Sequence, residues 1–415
     1  MKHAQKKSEK MLLGKMLHNT EHPLSLLDEF KEYFPDHRPS VVKNLFVVSG
    51  SIFSARTPNL WKAKDKGSNF LENHSGKPES DYQRLLRFFK EENGELLIRT
   101  ILSVVLFSIG SLRRHRYLVL DGTSWEYGSK KIHLLTLSVV HNGVSIPIWW
   151  TDLDKKGVSN QQERIALFKA ALKSDHLKKK LLLADREYIG SDWLHFLKKE
   201  KIEFIIRVPR GRYKNNVNRS PLGKGKRQHQ KLWYDALEQR ALQPKYAACG
   251  VNKEIRLGKE KYWFTVWKNP KEENKNEPLF YFISSVKNKR KVIKAYRIRW
   301  TIEDCFYHLK TNGFHLEEMN FKKSSKIELL MAILVLIYTL TMEKGWMAEA
   351  AQTRKNNKTY TDESTYSYAS VFRKGLPYLE RVAVNIWIFW GFVKKIIKER
   401  KTPSWVKVKG VITPL

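Results

Sequence analysis

Four residues late in the chain carry groups that could act on a phosphodiester. Tyr296, Arg299, Glu303 and Lys310 stand at the spacing Tyr-x2-Arg-x3-Glu-x6-Lys within YRIRWTIEDCFYHLK. On one α-helix, at about 100° per residue, these side chains fall within an arc of roughly 60°. Ile298, Ile302, Cys305 and Leu309 cluster on another face, centred roughly 120° away. The spacing predicts a helix that buries an apolar stripe and presents a carboxylate beside a phenol, a guanidinium and an ammonium. A surface ion-pair ladder has the same composition, so the meaning of Glu303 depends on partners elsewhere.

Asp121 and Asp185 are the partners the sequence offers. Each ends a short apolar run, RYLVLD and KLLLAD. If the two strands are neighbours in one sheet, their carboxylates converge at one edge, and Glu303 on a helix packed beside the sheet makes three. Three close carboxylates repel one another unless cations offset their charge. Hard divalent ions do this, and Mg²⁺ suits a site that keeps waters and phosphate oxygens. Two such ions about 3.5–4 Å apart activate an attacking water or hydroxyl and stabilise the leaving oxygen. Blander readings compete. An Asp after a strand also serves turns, and Gly122 and Thr123 suit one. Arg186 and Glu187 offer Asp185 a local ion pair. Asp152 and Asp154, in TDLDKKG, rank lower as metal ligands because they lie beyond a strand in a Gly- and Lys-containing loop.

The composition agrees with a polyanionic partner. The 415 residues carry 77 Lys and Arg against 42 Asp and Glu, a formal charge of +35. Neutralising phosphates with such a surface releases condensed counterions. A hydrophobic content of 42% supports a large core or several domains. Cys249 and Cys305, far apart, make neither a disulfide framework nor a zinc site, which points to a reducing, cytoplasmic setting. The basic N-terminus lacks the apolar core of a secretory signal. The longest apolar run, Leu329–Met342, is about 14 residues where a span needs roughly 20, so it reads as a core helix with no membrane role.

The elements that must hold the acids follow from periodicity. Ser25–Phe34, Ser80–Glu92 and Leu96–Ser111 show helical apolar spacing, with Thr57–Pro78 read as loop. From Arg116 the order is strand, strand, strand, helix, strand, helix, strand. The first three form an antiparallel meander with a tight turn at His141-Asn142-Gly143, and the later ones, joined through helices, run parallel. Arg207–Lys231 contains many cations, several glycines and no acid. It reads as a phosphate-tracking arm, with Arg207, Arg210, Arg212, Lys224, Lys226 and Arg227 as DNA contacts. KYWFTVWK and LFYFISSV are strand-like, and residues 325–350 and 364–400 are helical.

With LDGTSW, LLADREYIG and YRIRWTIEDCFYHLK around the three acids in this order, residues 116–345 resemble the DDE transposases of bacterial insertion sequences. The Tyr-Arg-Glu-Lys spacing is similar to that of their IS-four group. The resemblance implies an α/β protein with an RNase H-like mixed-sheet core and an inserted β-rich subdomain, flanked by helical regions. It divides the chain into a helical DNA-binding or assembly region (1–114), a core in two parts (115–206 and 288–345), the insertion (207–287) and a C-terminal helical region (346–415). It also implies that Asp121, Asp185 and Glu303 hold two Mg²⁺ ions, with Mn²⁺ able to substitute, while Tyr296, Arg299 and Lys310 grip DNA phosphates. The implied activity is cut-and-paste transposition: binding of terminal inverted repeats by a homodimer, hydrolysis, hairpin formation and strand transfer. A flipped base at such a hairpin needs an aromatic to stack on, and Trp263 and Trp267 are candidates, although for at least one of them the inward-facing core of the sheet is the stronger reading. The rivals are another RNase H-like nuclease and a domesticated, non-catalytic DNA-binding protein.

Overall fold

The computed structural model describes residues 25–70, 77–90, 94–110, 112–173, 177, 180–219, 233–269, 277–356 and 368–399. The first of these form helices α1 (Leu26–Tyr33), α2 (Pro39–Ala55), α3 (Leu60–Phe70), α4 (Pro78–Phe88) and α5 (Gly94–Ile109). Ser25 starts α1 with a capping box closed by Asp28. Helix α3 occupies a stretch expected to be loop. Its sequence is polar, but Leu60, Ala63 and Phe70 are buried. The Phe70 ring lies on Gly50 of α2, where a Cβ would stand 2.4 Å from it. Tertiary packing on a glycine thus overrides a weak local signal.

The next segment builds the sheet: β1 (Tyr117–Tyr127), β2 (Lys130–His141), β3 (Val144–Asp152), α6 (Gln161–Leu172), β4 (Leu181–Ala184), α7 (Ser191–Lys199) and β5 (Glu203–Val208). Asn142 and Gly143 turn β2 into β3 with φ of 46° and 75°. The insertion follows as α8 (Lys214–Arg219), α9 (Tyr234–Leu242), β6 (Val251–Leu257), β7 (Glu260–Lys268) and β8 (Leu279–Ser284). The sheet order is β3-β2-β1-β4-β5-β8-β7-β6. β1–β2–β3 is the expected antiparallel meander, and β1, β4 and β5 run parallel. This five-strand unit has the RNase H-like topology. The inserted strands continue the same sheet, with β8 antiparallel to β5. Strand β6 escapes sequence reading because charged residues interrupt its apolar positions, Val251 and Ile255.

The chain ends in α10 (Lys289–Tyr296), a 3-10 turn (Arg297–Trp300), α11 (Thr301–Lys310), α12 (Ser324–Asn356), α13 (Tyr368–Val382) and α14 (Ile386–Glu399). Residues Ser324–Ala348 of α12 are long and apolar enough to cross a membrane, yet 83% of the apolar window is buried inside the protein. Packed between α5, α13 and β3, α12 is the central core helix.

Candidate active site

Strand register sets two of the acids side by side. β1 and β4 pair in parallel from Tyr117↔Leu181 to Leu120↔Ala184, where the pairing stops. The next residues on the two strands are Asp121 and Asp185. Alternation gives them the side of the sheet to which Val119 and Leu183 point. Those residues pack with Tyr296, Ile302 and Phe306 of the α10–α11 segment. Glu303 lies in the first turn of α11, over that same face.

The expected single helix over 296–310 is broken, and the break matters. Residues 297–300 form a 3-10 turn, which advances about 120° per residue where an α-helix advances 100°. The extra rotation leaves Ile298 only half-buried, although periodicity placed it on the apolar stripe. It turns Tyr296 and Arg299 inward, to 1% and 3% exposure. The Tyr296 hydroxyl donates to Asp185 Oδ1 at 3.2 Å. Arg299 Nη1 donates to Asp121 Oδ2 at 3.3 Å, and its Nη2 pairs with Glu303. One buried guanidinium therefore ties together two of the three acids.

Electrostatics follow from that burial. Desolvation pushes Asp121 up to about 7, although Arg299 and the Gly122 amide pull the other way. Burial also raises the Tyr296 phenol, so it stays a donor toward Asp185. Burial opposes the charge of Arg299, but Tyr296, Asp185, Asp121 and Glu303 outweigh it and hold the guanidinium more firmly protonated than usual.

The remaining residues proposed from sequence fall in different places. Lys310 Nζ donates to the Ser124 carbonyl at 3.0 Å and pairs with Glu317 at 2.6 Å, close behind Asp121 on β1. Arg207, on β5, stands 3.8 Å from Asp185. Arg210 lies elsewhere, held by Glu238 through two hydrogen bonds of 3.0 and 2.9 Å, and Arg212 is exposed. Lys224, Lys226 and Arg227 lie outside the described residues. Trp267 is core: its Nε1 donates to the Ala247 carbonyl, and its ring packs on Phe280. Packed this way it has no open face for a base, which corrects its place among the stacking candidates. Trp263 is half-buried, with Lys287 Nζ 5.5 Å from its ring centroid.

Sequence reasoning missed Tyr188 and His133. The Tyr188 hydroxyl donates to Asp121 Oδ1 at 3.3 Å, and its chain signal is its place three residues after Asp185. His133 Nδ1 bonds Ser124 Oγ at 2.6 Å. Both rings close on Gly122, where a Cβ would stand 2.7 Å from His133 Nε2 and 3.2 Å from the Tyr188 hydroxyl. Gly122→Ala should therefore cost about 1–3 kcal/mol, read as a lower denaturant midpoint. Unchanged stability would show that these rings yield freely.

The donor set suits a hard divalent cation: carboxylate oxygens, one of them on a buried group that resists charge unless more positive charge arrives. In the arrangement shown, Arg299 supplies part of that charge. No three acids, histidines or cysteines among the described residues lie close enough together to hold an ion. Glu303, whose side chain is 54% exposed, is the acid most free to re-aim.

No curated protein matches the chain in sequence. Seven chains of solved structures match. One is the piggyBac transposase in its cryo-EM synaptic complex with hairpin DNA, at 10% identity and a TM-score of 0.43, covering 96% of this chain and 82% of that one. A family model described as the transposase DDE domain matches residues 113–340, a span that includes Asp121, Asp185 and Glu303. That span is more than half of the chain, and the protein belongs to the DDE transposase family.

Proposed function

We propose that this protein is a cut-and-paste DNA transposase of the IS-four group, acting at the terminal inverted repeats of its own element in the bacterial cytoplasm. The observation that carries the reading is the strand register. It sets Asp121 beside Asp185 on the face that α11 covers with Glu303.

Asp121, Asp185 and Glu303 would hold Mg²⁺, or Mn²⁺ in its place. The bound ions would supply Lewis acidity and an activated water or 3′-hydroxyl for attack on phosphorus. The chain's own residues do the rest. Tyr296 and Tyr188 aim the two aspartates by hydrogen bonds. Arg299 offsets carboxylate repulsion from within the core. Lys310 and Arg207 line the approach and offer charge to the backbone phosphates of a cut strand. The net charge of +35 supports a duplex DNA partner, and pairing of two element ends calls for a homodimer.

A test uses duplex carrying one terminal inverted repeat, a supercoiled target plasmid and Mg²⁺. The expected products are nicked end, hairpin end and end joined to target. Cleavage without joining would instead indicate an RNase H-like nuclease. Binding without cleavage would indicate a domesticated DNA-binding protein.

A further inference from the structure

Beside Asp185 two arginines share one acid. Arg186 Nη1 donates to Glu277 Oε1 at 2.8 Å, and Arg207 Nη2 donates to Glu277 Oε2 at 2.6 Å. Each carboxylate oxygen is thus taken by a different guanidinium. Arg207 also reaches toward Asp185, with its Nη1 3.8 Å from Oδ1, and lies on the Phe280 ring at 4.3 Å. The three differ in access: Arg207 is mostly covered, whereas Arg186 and Glu277 are open to solvent.

The geometry points to a backbone-phosphate site made by Arg186 and Arg207, which Glu277 fills as an internal anion until a DNA strand displaces it. Two guanidinium groups converging on two oxygens of one planar anion also suit two non-bridging oxygens of a phosphodiester. Arg207 is fixed by its strand and by Phe280, so the site needs little ordering on binding. The Arg186–Glu277 pair is exposed and worth little in water, and a phosphate that takes Glu277's place restores the charge-assisted bonds to the covered Arg207. The contact with Asp185 sets such a phosphate one guanidinium away from the acids, where a nucleotide next to the cut would lie. The inference rests on the transposase reading and adds to it Arg186, the acid that competes with DNA, and their location.

The test measures binding of a short fluorescent duplex of arbitrary sequence to the full-length protein, in EDTA, over a range of salt. Glu277→Gln should bind roughly threefold to tenfold tighter than the parent at low salt. Glu254→Gln, which frees Lys261 on the far edge of the sheet, controls for net charge and should change little. Arg186→Ala should weaken binding, lower the slope of log K against log salt by about one, and abolish the gain from Glu277→Gln. Arg186 is exposed, so its removal leaves the fold intact. The proposal fails if Glu277→Gln gains no more than Glu254→Gln, or if its gain survives Arg186→Ala. A parent that binds the duplex without any Glu277 effect overturns this site alone. A parent that binds no duplex at low salt overturns the DNA reading along with it.

Discussion

If the proposed function holds, Asp185→Ala and Glu303→Ala should each lower metal-dependent end cleavage by about 10³-fold or more while sparing end binding. A metal-held nucleophile and leaving oxygen are worth several kcal/mol of transition-state stabilisation, and about 4 kcal/mol is that factor. The structure separates this loss from unfolding. Glu303 is exposed, and its one resolved ion pair is with Arg299. Asp185 follows the end of β4 and loses a single phenol hydrogen bond and a long contact to Arg207. Asp121 needs a gentler change, because alanine there leaves a buried Arg299 with half its counter-charge. Asp121→Asn keeps the shape and should be equally inactive. The measurement is cleavage of an end-labelled duplex on a denaturing gel, with gel-shift binding alongside. Any variant that cuts at the parent's rate removes its residue from the site.

The second large effect is a pH dependence of stability in the metal-free protein. Asp121 titrates near 7 in the folded chain because burial disfavours its charge, against 3.8 for an ordinary Asp. The folded state therefore holds a proton that the unfolded state has given up between these values. Stability from this group is fully present below pH 3.8, declines as pH rises, and is lost once pH passes about 7. The loss is on the order of 4 kcal/mol. Asp121→Asn cannot titrate, so thermal melts from pH 4.5 to 8 should diverge, with the parent falling relative to the variant. Mg²⁺ at pH 8 should recover the parent and leave Asp121→Asn nearly unmoved, since binding to the native state alone stabilises it. Parallel melting curves would contradict the burial argument.

The parts of the molecule legible in the sequence were those written in apolar alternation. RYLVLD and KLLLAD announce two buried strands ending in acids, and parallel pairing turns that coincidence into adjacency. The meander was legible through Asn142-Gly143, because only certain residues take positive φ there. Other features depend on contacts that periodicity cannot register. Helix α3 forms because Phe70 finds Gly50. The 3-10 turn at 297–300 buries Arg299, a residue whose charge argued for solvent, because two carboxylates wait beneath it. The pairing of Arg210 with Glu238, distant in sequence, is likewise invisible to periodicity. Trp267 and Trp263 looked alike on one strand face, and only the Ala247 carbonyl and Phe280 distinguish them.

The pairing of β5 with β8 has a consequence for how this chain can vary. Val208 lies opposite Tyr281, so the chain leaves β5 and returns beside it after adding β6 and β7 to the outer edge of the same sheet. Lengthening such an excursion adds only a slowly growing closure entropy. The loops that join its elements can therefore lengthen while the register that sets Asp121 beside Asp185 stays fixed. Trp267, packed with Val119 and Tyr296, and Asn252, which donates to the Lys287 carbonyl, hold the added strands to the core. Loop length on that edge and the spacing of the acids are thus set by different parts of one sheet.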